Sequence, residues 1–528
     1  MRKDVFVALF LLSVLLAVMV AQKINLTTAD LGRHIKNGEV ILQGGEMGLS
    51  RSDLLHTNFY SYTEPDFPFV NHHWGTGIIF YLIFSAFGWA GLSLFHILIF
   101  VGTFALLFLL ASKKLPLLLL APLSLLLLPL IADRTEIRPE TISYFFIAVF
   151  IYLLVRFGEK SLDKKYLYLL PIITLLWANI HIYFVFGLFV IGAFILERII
   201  YKDWQNTKSL LTIFLFSIIA SCITPFGPKA LLYPFTIFGN YGYKLVENQS
   251  ISFLENISFF SPTFLWWKIA VIITILVTAW SLWRDRKNFP IALGIITLTF
   301  GILSFLAIRN FSIFGLVLLP YIAYLLNTTS PTTSGPPSPK LGEGLGRGLA
   351  TNSSSDMVLT GSVLVSIILL TIIPFRFLRI ETWGLGLMPG VNNSAQFVET
   401  NNVNGPTFSN YDIGGYLIFH KFPEEKVFVD NRPEAYPVPF FEETYVPMQE
   451  KLEVWSQKLE KYNFNTIWFY RHDLTPWAQE FLIARVADPD WAPVYVDNYV
   501  IIFLRRTPRN YNLIEEYELP KQMFSTRG

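Results

Sequence analysis

Cysteine is almost absent from this 528-residue chain. The single Cys222 lies in an apolar run, so no internal disulfide can form and a CxxC metal or redox site is excluded. It reads as a small buried hydrophobe. Charge is scarce too, at 15% Asp, Glu, Lys and Arg, against about 25% in ordinary soluble domains. With a net charge of only +2 there is no nucleic-acid footprint. No glycine-rich nucleotide loop and no internal repeat is visible. The first absence argues against nucleotide binding through such a loop, and the second against the paired repeats of many transporters.

What is present is apolar: 53% hydrophobic and 16% aromatic residues, in repeated runs of about 18 residues or more, the length that crosses a bilayer. The fold class this predicts is a polytopic α-helical membrane bundle with a C-terminal α/β domain. About eleven spans are expected, near 4–21, 90–111, 115–132, 140–157, 166–180, 182–200, 208–224, 264–283, 289–307, 311–327 and 357–374. The segment 75–88 is too short to cross and reads as an interfacial or re-entrant helix ended by Gly88. The basic start and apolar core of residues 1–22 resemble a signal peptide, but the run is long and reads as an uncleaved first helix.

With Arg2 and Lys3 in the cytoplasm, Lys113–Lys114, the Arg156–Lys165 and Arg198–Lys208 loops and Arg284–Lys287 all fall on the same side, as the positive-inside rule requires. Loops 22–74, 133–139 and 225–263 and everything after about residue 375 then face outward. The domains expected are therefore a bundle over 1–327, a Pro/Gly/Ser/Thr-rich disordered linker over 328–356, a last span at 357–374 and an extracytoplasmic domain over 375–528. In that domain, strands are expected at 426–429, 466–470, 494–496 and 500–504, and helices at 411–420, 440–461 and 476–486.

Ionisable residues near hydrocarbon are costly and mark functional sites. The segment TTADLGRHIKNGEVI brings Asp30, Arg33 and His34 to the mouth of the bundle. In a helix, Asp30 and His34 would share one face, where a general base or a metal ligand would sit. ADRTEIRPE adds Asp133, Arg134, Glu136, Arg138 and Glu140, and LLWANIH adds Trp177 and His181. The 225–263 loop carries Glu247 and Glu255, and Arg309 separates two apolar spans. Glu39, Asp53 and Glu64 read as solvated loop charges, and His72 and His73 as either interface anchors or site residues. Arg138 reads either as a site residue or as a counter-charge to Glu140. Outward acids and arginines over a lipid-accessible bundle suit a lipid-phosphate substrate: arginine clamps phosphate oxygens, and a carboxylate deprotonates a hydroxyl or holds a divalent ion.

This pattern resembles the GT-C class of integral-membrane glycosyltransferases. The resemblance rests on the acid in the first outer loop, the acid and arginines of ADRTEIRPE, and the ordered phrases RPETISYFFIAVFIYLL, LLWANIHIYFVFGLFV, ITPFGPKALLYP and IRNFSIFGLVLLP. It covers most of the chain apart from the linker. A second, looser resemblance links FSNYDIGGYLIF and KVFVDNRPEAY to the outer domain of the oligosaccharyltransferase catalytic subunit. There Asp412, Gly414 and Tyr416 fit a Trp-Trp-Asp-Tyr-Gly motif, while Asn410 and Tyr411 replace its tryptophans. From the residues alone, Asp412 could equally cap a helix.

The resemblance implies Asp30 as catalytic base or metal ligand, with His34, Asp133 and Glu136 in the catalytic set. It implies substrate binding by Arg33, Arg138, His181, Arg309, Asp412, Tyr416, Asp430 and Arg432. A divalent ion, Mg or Mn, would sit among Asp30, Asp133, Glu247 and Glu255. The implied partners are a lipid-linked sugar donor, membrane lipid and a saccharide, lipid or protein acceptor. The activity would be hexosyl or pentosyl transfer from a polyprenyl phosphate to an envelope acceptor, on the outer face of a prokaryotic plasma membrane. An envelope-assembly scaffold and a lipid-linked saccharide transporter are the competing readings.

Overall fold

The structure, a computed structural model, describes residues 3–46, 48–237, 239–327 and 380–524. The expected linker at 328–356 and the expected span at 357–374 lie outside the described residues. Fourteen α-helices precede the gap: α1 (Lys3–Val20), α2 (Leu31–Gln43), α3 (Arg51–His56), α4 (Trp74–Ala111), α5 (Leu117–Ile131), α6 (Glu140–Gly158), α7 (Leu169–Ile180), α8 (Phe184–Ile200), α9 (Trp204–Ser221), α10 (Lys229–Thr236), α11 (Ile251–Asn256), α12 (Pro262–Arg284), α13 (Ile291–Leu306) and α14 (Phe311–Leu325). Five apolar segments of these are long enough to cross a membrane: α1, α4, α6, α12 and Ile308–Leu325, which includes α14. α5 and α13 are apolar but shorter. Length and apolarity therefore do not carry the expected count of about eleven.

α12 shows most plainly what surrounds the bundle. Leu265, Ile272, Ile275, Leu276 and Trp283 are all exposed along it, an apolar face that water would penalise and lipid accepts. Inside, Leu, Ile and Phe from α1, α4, α5, α6, α8, α13 and α14 close one continuous core.

The segment 75–88 is helical and ends at Gly88: within α4 two helices meet there at a kink, where the backbone leaves the helical region with a φ of 63° that only glycine adopts readily. The outward loop 225–263 contains α10, a 3₁₀ turn at Val246–Asn248 and α11.

The first half of α4 packs on α2 through Gly38 and Gly77. A Cβ on Gly38 would strike the Gly77 carbonyl and Tyr81, and one on Gly77 would come within 2.9 Å of the His34 carbonyl oxygen. This close approach fixes α2, and with it Asp30. Gly38→Ala should therefore lower stability by about 1–3 kcal/mol, the usual cost of overpacking, seen as a reduced melting temperature in detergent.

After residue 380 come α15 (Asn393–Thr400), β1 (Thr407–Phe408), α16 (Gly414–Lys421), α17 (Leu452–Tyr462), β2 (Thr466–Tyr470), α18 (Ala478–Ala487), β3 (Trp491–Val496) and β4 (Val500–Arg505). The sheet order is β1-β2-β4-β3, with β1 parallel to β2 and the other pairs antiparallel. The expected strand 426–429 is not in this sheet. Val427 instead exchanges backbone hydrogen bonds with Tyr60 and Tyr62 of the first loop, so its hydrogen-bonding edge is taken by the bundle. The expected helix at 440–461 is interrupted, with a π-helical turn at Phe440–Tyr445 and α17 starting only at Leu452.

Two hydrophobic clusters hold this region. One is an aromatic core around Phe408, Phe428, Phe464, Phe481 and Trp491. The other is shared with the bundle: Leu26, Val40 and Tyr60 pack with Ile413, Tyr416 and Trp468.

Candidate active site between the bundle and the C-terminal domain

Asp30 stands at the N-cap position of α2, and its carbonyl accepts the His34 N–H at 3.1 Å. Its carboxylate makes no capping bond and turns outward to Arg138, with Oδ2 3.3 Å from Nη1. Arg138 lies in the short loop between α5 and α6. Its Nε also reaches Glu136 at 2.6 Å, and its Nη1 reaches Glu247 at 3.2 Å.

Glu247, on the 3₁₀ turn of the 225–263 loop, is the hub. Its Oε2 accepts from Arg134 Nη2 at 2.7 Å. Its Oε1 lies 3.5 Å from Arg309 Nη1, which also donates to Asn248 Oδ1 at 3.1 Å. Arg134 is held from the other side by Glu140, at 2.9 Å. Three arginines from two segments, the α5–α6 loop and the turn before α14, thus converge on one carboxylate beside Asp30. Glu140 pairs with Arg134, so neutralising it is not the task of Arg138.

The electrostatics follow from burial and these pairs. Burial alone would raise the Glu247 carboxyl, but Arg134, Arg138 and Arg309 outweigh it and hold the group well below the usual carboxylate range. Burial raises Asp30 above its ordinary value, and Arg138 and Arg33 offset only part of that. Asp30 is therefore a stronger base than a solvated aspartate.

Behind Asp30 lie four histidines in ring contact. His34 meets His73 edge-on with centroids 5.2 Å apart, His73 stacks on His181 at 5.2 Å, and His72 lies 3.8 Å from His73. Burial pushes all four down, His72 to about 4 and His181 to about 3, so they are neutral. His181 Nδ1 shares a 2.8 Å hydrogen bond with Ser143, which also accepts from Trp177.

The C-terminal domain closes the site. Gly415 sits against the Ala29 carbonyl and the Asp30 Cα, with Asn431 alongside. Asp412 is half-buried there. Burial, with Asp473 and Asp30 nearby, pushes its carboxyl up to about 7. The helix that follows has Ile413 at its N-cap and no side-chain cap bond, so Asp412 is not a cap.

Other candidates lie elsewhere or are committed. Asp430 and Arg432 are fully buried and face each other in two hydrogen bonds of 2.7 and 2.6 Å, completed by Asn58 and Tyr436. Tyr416 is in the shared core, its hydroxyl on Ser394 and the Ala395 N–H. Asp133 is half-buried in the turn after α5.

Of the residues implied for a divalent ion, Asp30 and Glu247 meet at Arg138 Nη1, while Glu255 stands apart in a 2.7 Å pair with Lys268. Among the described residues no group of three His, Cys, Asp or Glu side chains is placed to hold a metal ion.

Sequence reasoning missed Glu434 and Asn58. Glu434 lies on the turn Pro433–Ala435 and acts electrostatically on Tyr233, Tyr241 and Tyr411. Its signal was the acid four residues after Asp430 in DNRPEAY.

No protein-family profile matches the chain, and no curated protein sequence does. Among solved structures, the archaeal oligosaccharyltransferase AglB from Archaeoglobus fulgidus, in complex with an inhibitory peptide and a dolichol-phosphate, is similar. The TM-score is 0.57 at 11% identity, over 98% of this chain and 77% of that one. At that identity the likeness is one of fold: an apolar helix bundle followed by a mixed α/β region.

Proposed function

We propose that the chain is a membrane glycosyltransferase that moves a sugar from a polyprenyl-phosphate donor to an acceptor hydroxyl, on the outer face of a prokaryotic plasma membrane. The observation that carries this reading is the cluster of Arg134, Arg138 and Arg309 on Glu247, next to Asp30. Transfer from a lipid phosphate needs positive charge on the leaving group and a base on the acceptor. The donor phosphate takes over guanidinium N–H groups that Glu247 now occupies. Asp30 accepts the acceptor's proton as the new C–O bond forms and the phosphate departs with the electron pair of the old one. The neutral histidines behind Asp30 add no competing charge.

The test is transfer of radiolabelled sugar from a panel of polyprenyl-phosphate sugars to native envelope extract by the purified protein, with and without chelator. Transfer supports the enzyme. The chelator arm decides the divalent ion: a lost rate requires one, and an unchanged rate assigns the leaving-group charge to the arginines alone. Well-folded protein that transfers from no donor would favour the scaffold reading.

A further inference from the structure

A second polar cleft lies at the end of the bundle opposite Asp30. α6 begins at Glu140, in the arginine cluster, and its 19 residues carry the chain about 28 Å at 1.5 Å per residue, close to the thickness of a bilayer core. Phe157, in its last turn, forms one wall of a cleft of about 610 Å³, within the size range of small-molecule sites. Facing it, from the 3₁₀ turn Lys164–Tyr168 and the start of α9, are Lys164, Trp204, Gln205, Lys208, Ser209 and Thr212.

The cleft is cationic because its lysines are left over. The carboxylates of the two loops beside it are already engaged: Glu159 by Lys114 and Arg156, Asp163 by Lys165, and Glu197 and Asp203 by Arg198. Among the described residues Lys164 and Lys208 join no ion pair. Ser209 and Thr212 donate their hydroxyl hydrogens to the backbone carbonyls of Gln205 and Lys208, at 3.2 and 3.0 Å. Their oxygens remain acceptors, so the cleft offers cations and hydroxyl acceptors together.

The same helix face then turns apolar. Gln205, Ser209, Thr212 and Phe216 follow one another at helical spacing on α9, and both Phe216 and Ile219 are exposed. Tyr168, at the end of the 3₁₀ turn, is exposed too, its ring 6.4 Å from that of Phe216. Trp204 at the rim is 60% exposed, a usual position for an aromatic at the membrane interface. Polar cleft, aromatic rim and apolar strip thus succeed one another in the order in which a phospholipid presents its headgroup and its chain.

We infer that this cleft binds an anionic phospholipid with a hydroxyl-bearing headgroup, of the phosphatidylglycerol type, in the leaflet opposite the Asp30 site. Lys164 and Lys208 take the phosphate oxygens, Ser209 and Thr212 accept from the headgroup hydroxyls, and an acyl chain lies along Phe216 and Ile219. A basic pocket between helices at a membrane face suits such a lipid. A free phosphate would use the lysines and leave the apolar strip uncovered. The site stands on its own residues and does not depend on the sugar-transfer reading.

Its test is lipid retention. Full-length protein is released from nanodiscs of equimolar phosphatidylcholine and phosphatidylglycerol, and the lipids it keeps are counted by native mass spectrometry. Phosphatidylglycerol should be kept in preference to phosphatidylcholine. The double variant Lys164→Gln/Lys208→Gln should weaken that retention by about thirtyfold, at about fivefold for each lysine near a membrane surface. Lys287→Gln, beyond α12 at the same end of the bundle, should leave it unchanged. Both cleft lysines are exposed, so the variants should melt as wild type does in phosphatidylcholine; if the double variant fails to fold, the single variants decide. Equal retention of the two lipids overturns the site. So does wild-type retention by the variants, an equal loss in Lys287→Gln, or displacement of the lipid by millimolar inorganic phosphate. Sugar transfer, found or not, leaves this result standing.

Discussion

Asp30→Asn is expected to cut sugar transfer by about 10²–10⁴-fold, the usual contribution of a positioned general base, while leaving the fold intact. Arg138 keeps Glu136 and Glu247 when Asp30 loses its charge, so no buried cation is stranded and the melting temperature should barely move. The pH profile gives an independent check. Burial raises Asp30 above the ordinary aspartate value, and only its ionised form accepts a proton. The rate should therefore fall as pH drops through that raised value, with an acid limb above the solvated-aspartate pKa of about 3.9. Asp30→Asn should abolish that limb along with most of the rate. Full activity in the variant would take Asp30 out of the reaction.

Glu247→Ala should damage both stability and activity. It leaves Arg134, Arg138 and Arg309 without their common carboxylate. Breaking a buried pair by removing one partner costs about 3–5 kcal/mol. The Glu247 side chain is 19% exposed, so the lower end applies. Glu255→Ala, which removes a more exposed pair with Lys268, should cost no more than about 1 kcal/mol.

The sign with pH is fixed as well. The arginines hold Glu247 ionised in the fold. Its stabilisation is complete above the unfolded carboxyl's pKa of about 4.3 and is lost as pH falls below that toward the folded value. Melting curves of wild type and Glu247→Ala should therefore converge in acid. A gap that widens on acidification would contradict this account.

Much of the bundle was legible because a membrane span is a local signal. Apolar runs such as 140–157 and 311–327 need only their own composition to be read, and α6 and α14 fall there. Asp30, Arg138 and Arg309 stood out for a related reason: each is a charge beside apolar sequence, and the fold brings all three to one place. Their organiser was far less legible. Glu247 reaches arginines 113, 109 and 62 positions away, by subtraction of residue numbers, and no periodicity encodes such a pairing.

KVFV was misread for the complementary reason. Its composition is that of a strand, but whether a strand joins a sheet depends on which edge is free, and Tyr60 and Tyr62 had taken this one. Glu434 was passed over because an acid in a polar turn looks solvated until the opposing wall is known. Gly38 and Gly77 gave no signal either, since the need for a missing Cβ belongs to the contact and not to either segment.

The shared packing of Leu26, Val40 and Tyr60 with Ile413, Tyr416 and Trp468 has a practical corollary for anyone dissecting the molecule. The region after residue 380 is not a detachable module. Excised as a soluble fragment it would present half of a hydrophobic seam to water, and the remaining bundle would carry the matching half. Both pieces should be sticky. Crystallisation or binding work on the isolated cap would report on a surface that the intact protein never shows.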